Sequence, residues 1–312
     1  MGNFKSTLKK IPSNPSKKGR SKLKEPEPEL EPEPQILVEE NKPKYYLSNR
    51  GDENLDRQHF NHFFRKHIFG NNFSAPIGRR LAQGECKVLD VGCGPGTWLL
   101  DLAHKYKNVK FVGIDIEPTV YPNEIKPGNI NFYQADIFDG LPFPDNEFDF
   151  VHQEIMALII KADQWNFVIS ELIRVTKPGG FIELVEYIAP DDNGPILSKI
   201  YQTHYDLCLK RGVDTSLIPH LDNMMMSQNY ISQVNKDEKT FIIGPNGGKV
   251  GITILEIIIS FIMSDIATED ISFQQGIDKE EHKNRFKNLD EELKGTSPKL
   301  KLCRFWAQKN DN

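Results

Sequence analysis

A short apolar segment followed by three closely spaced glycines is the feature that most constrains the fold of this chain. Starting at Val88, the stretch reads VLDVGCGPGTW, with Gly92, Gly94 and Gly96 after the apolar run. The run is typical of a buried strand, and the residues after the glycines are typical of a helix. Glycines at such a junction let the backbone approach a ligand closely, beside free N–H groups of the helix start. The stretch therefore predicts a ligand-binding loop of a Rossmann-like fold.

The segments around this loop alternate between strand and helix patterns. Strand candidates are residues 87–91, 110–114, 130–134, 147–151 and 181–186, and helix candidates between them are 97–106 and 163–176. Such alternation predicts an α/β fold with a doubly wound parallel sheet and helices on both faces. Later candidates are helices at 195–211, 250–264 and 279–294 and strands at 239–244 and 303–308. We expect these later helices to cover the mouth of the sheet.

Residues 53–70 form a helical pattern ahead of the loop. Their apolar members are expected to share one buried side; they are Leu55, Phe60, Phe63, Phe64 and Ile68. Two polar residues of this helix, Arg57 and His59, and the preceding Tyr46 are interpreted as solvated surface residues. The alternative is that they help the helix close over a binding site. Three histidines, His59, His62 and His67, have no matching acid, so no metal site is expected.

Three residues narrow the choice of ligand. A dinucleotide-binding G-x-G-x-x-G motif that starts at Gly92 needs its third glycine at residue 97, where this chain has Thr97. Asp90, at the end of the strand before the loop, would repel a pyrophosphate but suits an ammonium group. Asp115 ends the next strand, where an acid accepts hydrogen bonds from a ribose diol. A ligand with a ribose, an amino-acid group and no phosphate fits, and S-adenosylmethionine is such a ligand.

The same reasoning assigns the rest of the predicted cofactor site. Asp136, after the third strand, could accept a hydrogen bond from the adenine amine, and the N–H of Ile137 could donate to the ring. Ile116 could pack on the adenine face, and Cys93 fits in the glycine loop as a small residue. His152 follows the fourth strand and is the candidate general base, but it and Gln153 could instead orient the cofactor through the backbone. A base is needed only if the acceptor must lose a proton.

Five motifs stand in order between Val88 and Glu186. They read VLDVGCGPGTW, GIDIEP, QADIFDGLPF, FDFVHQE and ELIRVTKPGGFIELVE. In this order they resemble the motifs of class I S-adenosylmethionine-dependent methyltransferases. With YYLSNRGDENLDRQH ahead and GPNGGKVG and CRFWAQK behind, the chain is similar to fungal methyltransferases of the LaeA-like type. After Gln153, where that group has a basic residue, this chain has Glu154.

The resemblance implies a fold and a division of the chain. It implies a seven-stranded sheet with the last strand inserted antiparallel, and a cofactor at the carboxyl ends of the first strands. Residues 45–312 would form the methyltransferase domain, with a helical cap at 45–80, a cofactor-binding core at 81–190 and substrate-side helices and strands at 191–312. The methyl acceptor, a small molecule or a protein, stays open.

Two other functions are weighed beside methyl transfer. One is an S-adenosylmethionine-binding regulatory or interaction protein with little turnover. The other is a nicotinamide dehydrogenase, against which Thr97 and Asp90 argue.

The net charge of −5 gives no signal for nucleic-acid binding. The four cysteines form no C-x-x-C pair, and we expect an intracellular protein with reduced thiols. The apolar run from Ile252 to Met263 is shorter than the roughly 20 residues of a spanning helix, so it is expected to be buried.

Residues 1–44 are expected to be a disordered tail. The segment from Lys5 to Lys24 has eight basic residues and no acid, and Glu25 to Pro34 read EPEPELEPEP, typical of an extended spacer. The opening MGNFKS fits the N-myristoylation pattern with Gly2 as the acceptor. An acyl chain with a basic segment predicts a cytoplasmic protein that contacts membranes peripherally. The alternative is nuclear, with SKKGRSKLK as an import signal.

This interpretation of the tail predicts that Gly2→Ala shifts the protein from the membrane fraction to the soluble fraction of cells. The acyl chain and the basic segment are each too weak alone for firm binding, so loss of the chain should release most of the protein. Fractionation of cells that express either form measures the shift. Equal soluble fractions would contradict the prediction.

Overall fold

The computed structural model describes residues 52–117, 122, 126–263, 276 and 278–311. The predicted tail, Gly2 and Tyr46 lie outside these residues. Seven strands form one sheet: β1 Lys87–Val91, β2 Lys110–Asp115, β3 Ile130–Gln134, β4 Phe148–Glu154, β5 Thr176–Asp191, β6 Val234–Ile242 and β7 Lys299–Gln308. Their order is β3-β2-β1-β4-β5-β7-β6. The first five strands pair in parallel, and β7 lies antiparallel between β5 and β6, which confirms the predicted sheet.

Nine α-helices surround this sheet within the described residues. They are α1 Asp52–Phe69, α2 Gly78–Gln83, α3 Thr97–Lys105, α4 Trp165–Val175, α5 Pro195–Lys210, α6 Leu221–Met226, α7 Gly248–Ile262, α8 Lys279–Asn284 and α9 Leu289–Gly295. The single helix predicted at 279–294 is wrong, because Asn288 has a φ of 68° and interrupts it. The predicted late strands are too short: β6 begins at Val234 and β7 at Lys299. The early half of β6 reads VNKDE and carries little of the apolar signal that marks a strand.

Alternating strand residues pack against helices on the two faces of the sheet. On one face, Val88 of β1 and Phe150 of β4 pack with Trp98 of α3. On the other, Leu89 and Val151 pack with residues of α4. Side chains that alternate in this way place Asp90 and His152 on the first face, one residue pair beyond Val88 and Phe150. The carboxyl edge of the sheet on that face therefore carries polar groups.

A separate apolar cluster joins α5, α7 and α9 beyond the sheet edge. Residues Pro245–Ile262, which include α7, are long and apolar enough to cross a membrane by length and composition alone. Ile254, Leu255 and Ile257 of α7 are buried in this cluster. Only 22% of Pro245–Ile262 is buried, and Ile252 is 45% exposed, so the apolar run is a helix that is buried on one side only, and not throughout as its length had predicted.

Helix α1 buries only part of the apolar side that its sequence predicts. Phe60 and Phe63 are 51% and 55% exposed, whereas Phe64 is buried as expected. His62 and Arg65 are buried instead. The reason is that α1 packs on polar groups of α3 and β4, so its inner face is largely polar. The apolar periodicity of the helix therefore gave the wrong orientation for Phe60 and Phe63.

Candidate functional site

The glycine loop after β1 depends on conformations that favour glycine. Gly92, Gly94 and Gly96 have φ values of 70°, 51° and 73°. A Cβ atom at Gly92 would overlap the side chain of Met156, and one at Gly94 would overlap that of Gln58. The positive φ values therefore favour glycine at all three positions, and the side chains of Met156 and Gln58 would have to move to admit a Cβ atom.

Hydrogen bonds hold the loop over the end of β2. The N–H groups of Gly92 and Cys93 both donate to the carbonyl oxygen of Ile114 at 2.9 Å. The N–H of Gly94 donates to Oδ2 of Asp115, also at 2.9 Å. The loop thus turns around the carboxyl end of the neighbouring strand, and α3 begins directly after it.

Three predicted acids lie along the carboxyl edge of the sheet: Asp90 in β1, Asp115 at the end of β2 and Asp136 just after β3. Burial raises the pKa of both Asp90 and Asp115. Oδ1 of Asp115 accepts a hydrogen bond from the N–H of Glu117 at 3.0 Å, which favours the ionised form. Oδ1 of Asp136 accepts from the N–H of Phe138 at 3.0 Å and caps a short 3₁₀ turn. Each carboxylate is therefore held in place by the backbone or by a neighbour.

His152 lies beneath the site rather than in its wall. Its Nδ1 is 2.8 Å from Oδ1 of Asp90, and its ring stacks on Trp98 with centroids 4.0 Å apart and planes 2° apart. Its Nε2 has no hydrogen-bond partner in the part of the chain that the structure describes. This geometry suits a residue that orients Asp90, and the catalytic role of His152 stays a prediction. The side chain of Gln153 is also buried and points to the other face of the sheet.

These elements enclose a cleft of about 1160 Å³, part of it open to solvent. Eight of the eleven predicted cofactor-binding residues line it: Asp90, Gly92, Cys93, Gly94, Asp115, Ile116, Asp136 and Ile137. Gly96, His152 and Gln153 are not in the lining.

Helix α1 supplies a wall that the sequence interpretation missed. Five of its polar residues line the cleft: Arg57, Gln58, Asn61, His62 and Arg65. Arg57 is therefore not the solvated residue that the sequence suggested. The signal that could have found this wall is the spacing of these polar residues, which recur at helical intervals and share one side of α1.

Two contacts fasten α1 to α3. Nδ1 of His59 lies 2.6 Å from Oγ1 of Thr97, the first residue of α3. One turn later, Oδ2 of Asp101 accepts a hydrogen bond from Nζ of Lys66 at 2.6 Å and lies 3.3 Å from Nε2 of His62. His59 and His62 are thus bound to α3 rather than exposed on a helix surface. Within the described residues no group of three or more metal-binding side chains occurs.

A buried ion pair fastens α1 to the end of β4. Nη2 of Arg65 donates to Oε1 of Glu154 at 2.6 Å, and its Nε donates to Oε2 at 3.2 Å. Burial by itself would raise the pKa of Glu154, but the charge of Arg65 outweighs burial and lowers this pKa to about 2. Glu154 is therefore ionised at neutral pH. The positive charge that faces Glu154 comes from Arg65 of α1.

The turn after β4 is strained where it lines the cleft. Ile155 has a φ of 55°, which is unfavourable for a β-branched residue. Its N–H donates to the carbonyl oxygen of Val185 at 2.9 Å. Oε1 of Glu186 accepts the next two N–H groups, from Met156 at 2.7 Å and Ala157 at 3.0 Å. These bonds maintain the strained turn, and strain of this kind concentrates at functional sites.

The buried pair predicts a large, non-additive effect on stability. Arg65→Met leaves an unpaired carboxylate in the protein interior, so the free energy of unfolding should fall by about 3–5 kcal/mol. The double variant Arg65→Met/Glu154→Gln should recover most of that loss, because no charge remains. Urea unfolding measures both, and Lys294→Met, in an exposed pair with Glu291, is the control with no expected change.

The pH dependence of the free energy of unfolding gives a second test of the Arg65–Glu154 pair. Because the folded state lowers the pKa of Glu154 from an ordinary 4.5 to about 2, the stabilisation is present above pH 4.5. It should disappear as the pH falls toward 2. A double variant no more stable than Arg65→Met at pH 7 would contradict this account.

Residues 88–180 match the family described as methyltransferase domain. The chain is 32% identical over 160 residues to the N-methyltransferase verN of Clonostachys rogersoniana, covering 50% of this chain and 55% of that protein. It is 29% identical over 164 residues to the N-methyltransferase gliN of Aspergillus fumigatus, covering 49% and 56%. The chain thus spans little more than half the length of these relatives.

A third relative has a different description. The secondary metabolism regulator laeA of Aspergillus niger is 33% identical over 101 residues, which are 32% of this chain and 26% of that protein. The family match covers the glycine loop and the strands that carry Asp115, Asp136 and Glu154. Residues 88–180 therefore match a methyltransferase domain, and the chain resembles class I S-adenosylmethionine-dependent methyltransferases of the LaeA-like type.

Proposed function

We propose that this protein transfers a methyl group from S-adenosylmethionine to an acceptor. The observation that carries the proposal is the row of Asp136, Asp115 and Asp90 at the carboxyl ends of adjacent strands, beside a loop that requires glycine. Three carboxylates in one cleft favour a cationic ligand without phosphates. The order of Asp136, Asp115 and Asp90 along the sheet edge matches the order of adenine, ribose and amino acid in S-adenosylmethionine.

The chain's own residues would hold this ligand in three places. Asp136 would accept from the adenine amine, Asp115 from the ribose hydroxyls, and Asp90 from the ammonium group. Bound S-adenosylmethionine supplies a methyl group on a good leaving group. The protein then has mainly to align the acceptor and exclude water. Helix α1 and the turn after β4 would serve both purposes, because Arg65 and Glu154 join them across the cleft.

We propose further that the acceptor atom is a nitrogen. The relatives verN and gliN are described as N-methyltransferases. A neutral amine can react without a base, whereas a hydroxyl must lose a proton. Glu154 lines the cleft but has a pKa of about 2, which makes it a poor base. Both of its oxygens already accept hydrogen bonds from Arg65, so its role would be to hold the wall of the cleft.

A second candidate function is a regulator that binds S-adenosylmethionine with little turnover. The similarity to proteins described as the secondary metabolism regulator laeA favours it. The cofactor site would be the same in both cases. Only an acceptor assay separates the two functions.

The cofactor proposal predicts that Asp115→Ala weakens binding of S-adenosylhomocysteine by about 10- to 100-fold, since hydrogen bonds to a charged group contribute about 1.5–3 kcal/mol each. Isothermal titration calorimetry measures this, with the exposed Asp139→Ala as the matched control that binds like the wild type. Wild-type protein that binds NAD but not S-adenosylhomocysteine would overturn the proposal.

The acceptor proposal predicts methyl transfer to amines and not to matched alcohols. Wild-type protein with S-adenosylmethionine labelled in its methyl group is incubated with pairs of compounds that differ only in an amine or a hydroxyl. Label should appear in the amine member of a pair, because that member needs no base. Transfer confined to alcohols would refute a nitrogen acceptor, and binding without any transfer favours the regulator.

A further inference from the structure

The outer side of α1 carries two exposed aromatic side chains. Phe60 and Phe63 are 51% and 55% exposed, the highest values for large apolar side chains among the residues that the structure describes. They are three positions apart, so they lie on the same side of the helix. His67, one turn after Phe63, is exposed on this side as well. A single exposed apolar residue is ordinary, whereas two neighbouring aromatic rings indicate a contact surface.

This outer side is not the side that attaches α1 to the domain. The attachment is made by the inner side, where Arg65 binds Glu154 and Lys66 binds Asp101. The ring of Phe63 meets only the edge of its own helix in the ring contacts of α1, with its centroid 5.1 Å from that of His62. The exposed rings are therefore accessible to a partner outside the domain.

A basic surface adjoins the aromatic side of α1. Helices α1 and α3 lie side by side and run in the same direction, because His59 contacts Thr97 and Lys66 contacts Asp101 further along both helices. Three exposed basic residues follow Asp101 before the chain enters β2: His104, Lys105 and Lys107. No acid occurs from residue 102 to residue 114. The surface beside the phenylalanines is thus positively charged and suits an anionic partner.

The N-terminal sequence gives an independent indication of which anionic partner fits. Gly2 lies in an N-myristoylation pattern, and the segment from Lys5 to Lys24 has eight basic residues and no acid. Both features are signals for an anionic membrane. Residues 25–51 connect this segment to α1, so a tail bound to a membrane would keep α1 near the same surface. A contact through two aromatic rings, weak by itself, would then be sufficient.

We propose that the outer side of α1 binds an anionic phospholipid surface, with Phe60 and Phe63 inserted at the level of the headgroups and the basic end of α3 beside the lipid phosphates. Apolar rings flanked by basic residues are typical of helices that lie in this interfacial layer. Because the inner side of α1 is a wall of the cleft, the cleft would lie close to the membrane. The inference does not depend on the proposed function, since lipid binding needs neither cofactor nor acceptor.

The first test measures how the full chain binds vesicles. Protein made in bacteria, without a myristoyl chain, is sedimented with vesicles of phosphatidylcholine alone or with added phosphatidylserine. The proteins are the wild type, Phe60→Ser/Phe63→Ser and Phe167→Ser. Phe167 is the matched control, because it is 43% exposed but lies on α4, which packs on the opposite face of the sheet from α3. Circular dichroism establishes that each variant is folded.

We expect the wild type and Phe167→Ser to bind the vesicles that contain phosphatidylserine. The double variant should bind them about 10- to 100-fold more weakly, because it loses the apolar area of two half-exposed rings. Added salt should weaken the binding of every protein by screening the basic residues. The ratio between the wild type and the double variant should persist in salt, since insertion of the rings is not electrostatic.

A second measurement locates the contact on the domain. Phe63→Trp and Phe167→Trp each add one tryptophan to the three of the chain. Lipids brominated in their acyl chains quench the fluorescence of a tryptophan that enters the bilayer. Quenching above the level of the wild type is expected for Phe63→Trp and not for Phe167→Trp.

Three results would overturn the inference and leave the proposed function untouched. One is a wild type that binds neither kind of vesicle. Another is a double variant that binds as the wild type does without quenching in Phe63→Trp, which would assign the binding to the basic tail alone. The third is a double variant with unchanged vesicle binding that is a monomer where the wild type is a dimer. The outer side of α1 would then contact a second copy of the chain.

Discussion

The bidentate ion pair between Arg65 and Glu154 is the interaction on which the site depends. It joins α1, which comes before the sheet in the chain, to the end of β4 in the middle of the sheet. Together with the contacts of His59, His62 and Lys66 to α3, it holds the polar inner side of α1 against the protein. Because the pair is buried, loss of one partner costs far more than loss of both. The wall of the cleft thus depends on the charges of Arg65 and Glu154 neutralising each other.

Two buried glutamates of β5, Glu183 and Glu186, hold neighbouring loops in place through hydrogen bonds to the backbone. Oε2 of Glu183 accepts hydrogen bonds from the N–H groups of Ser74 and Ala75, at 2.8 and 2.7 Å, on one face of the sheet. On the other face, Glu186 holds the strained turn after β4 in the same way. Each carboxylate satisfies two backbone donors that a loop near the sheet edge would otherwise leave buried without partners. Loop conformation in this protein therefore depends on strand side chains.

The sheet and the cofactor half of the site could be predicted because their signals are local. The apolar strands, the glycines and the acid at each strand end lie within a few residues of one another, so Asp90, Asp115 and Asp136 follow from spacing. The inner side of α1 could not be predicted. Phe60 and Phe63 suggested a buried apolar side, but the partners that decide the orientation, Asp101 and Glu154, are 35 to 89 residues away in sequence.

The amino-acid sequence by itself determined the βα alternation, the glycine loop and the acids at successive strand ends, since periodicity, positive φ and charge are properties of short segments. Only the tertiary structure decided that His152 lies under the cleft against Trp98 and that Arg65 supplies the charge opposite Glu154. These facts depend on which helix face meets the sheet. That choice follows from pairing buried charges across long separations, which no local pattern encodes.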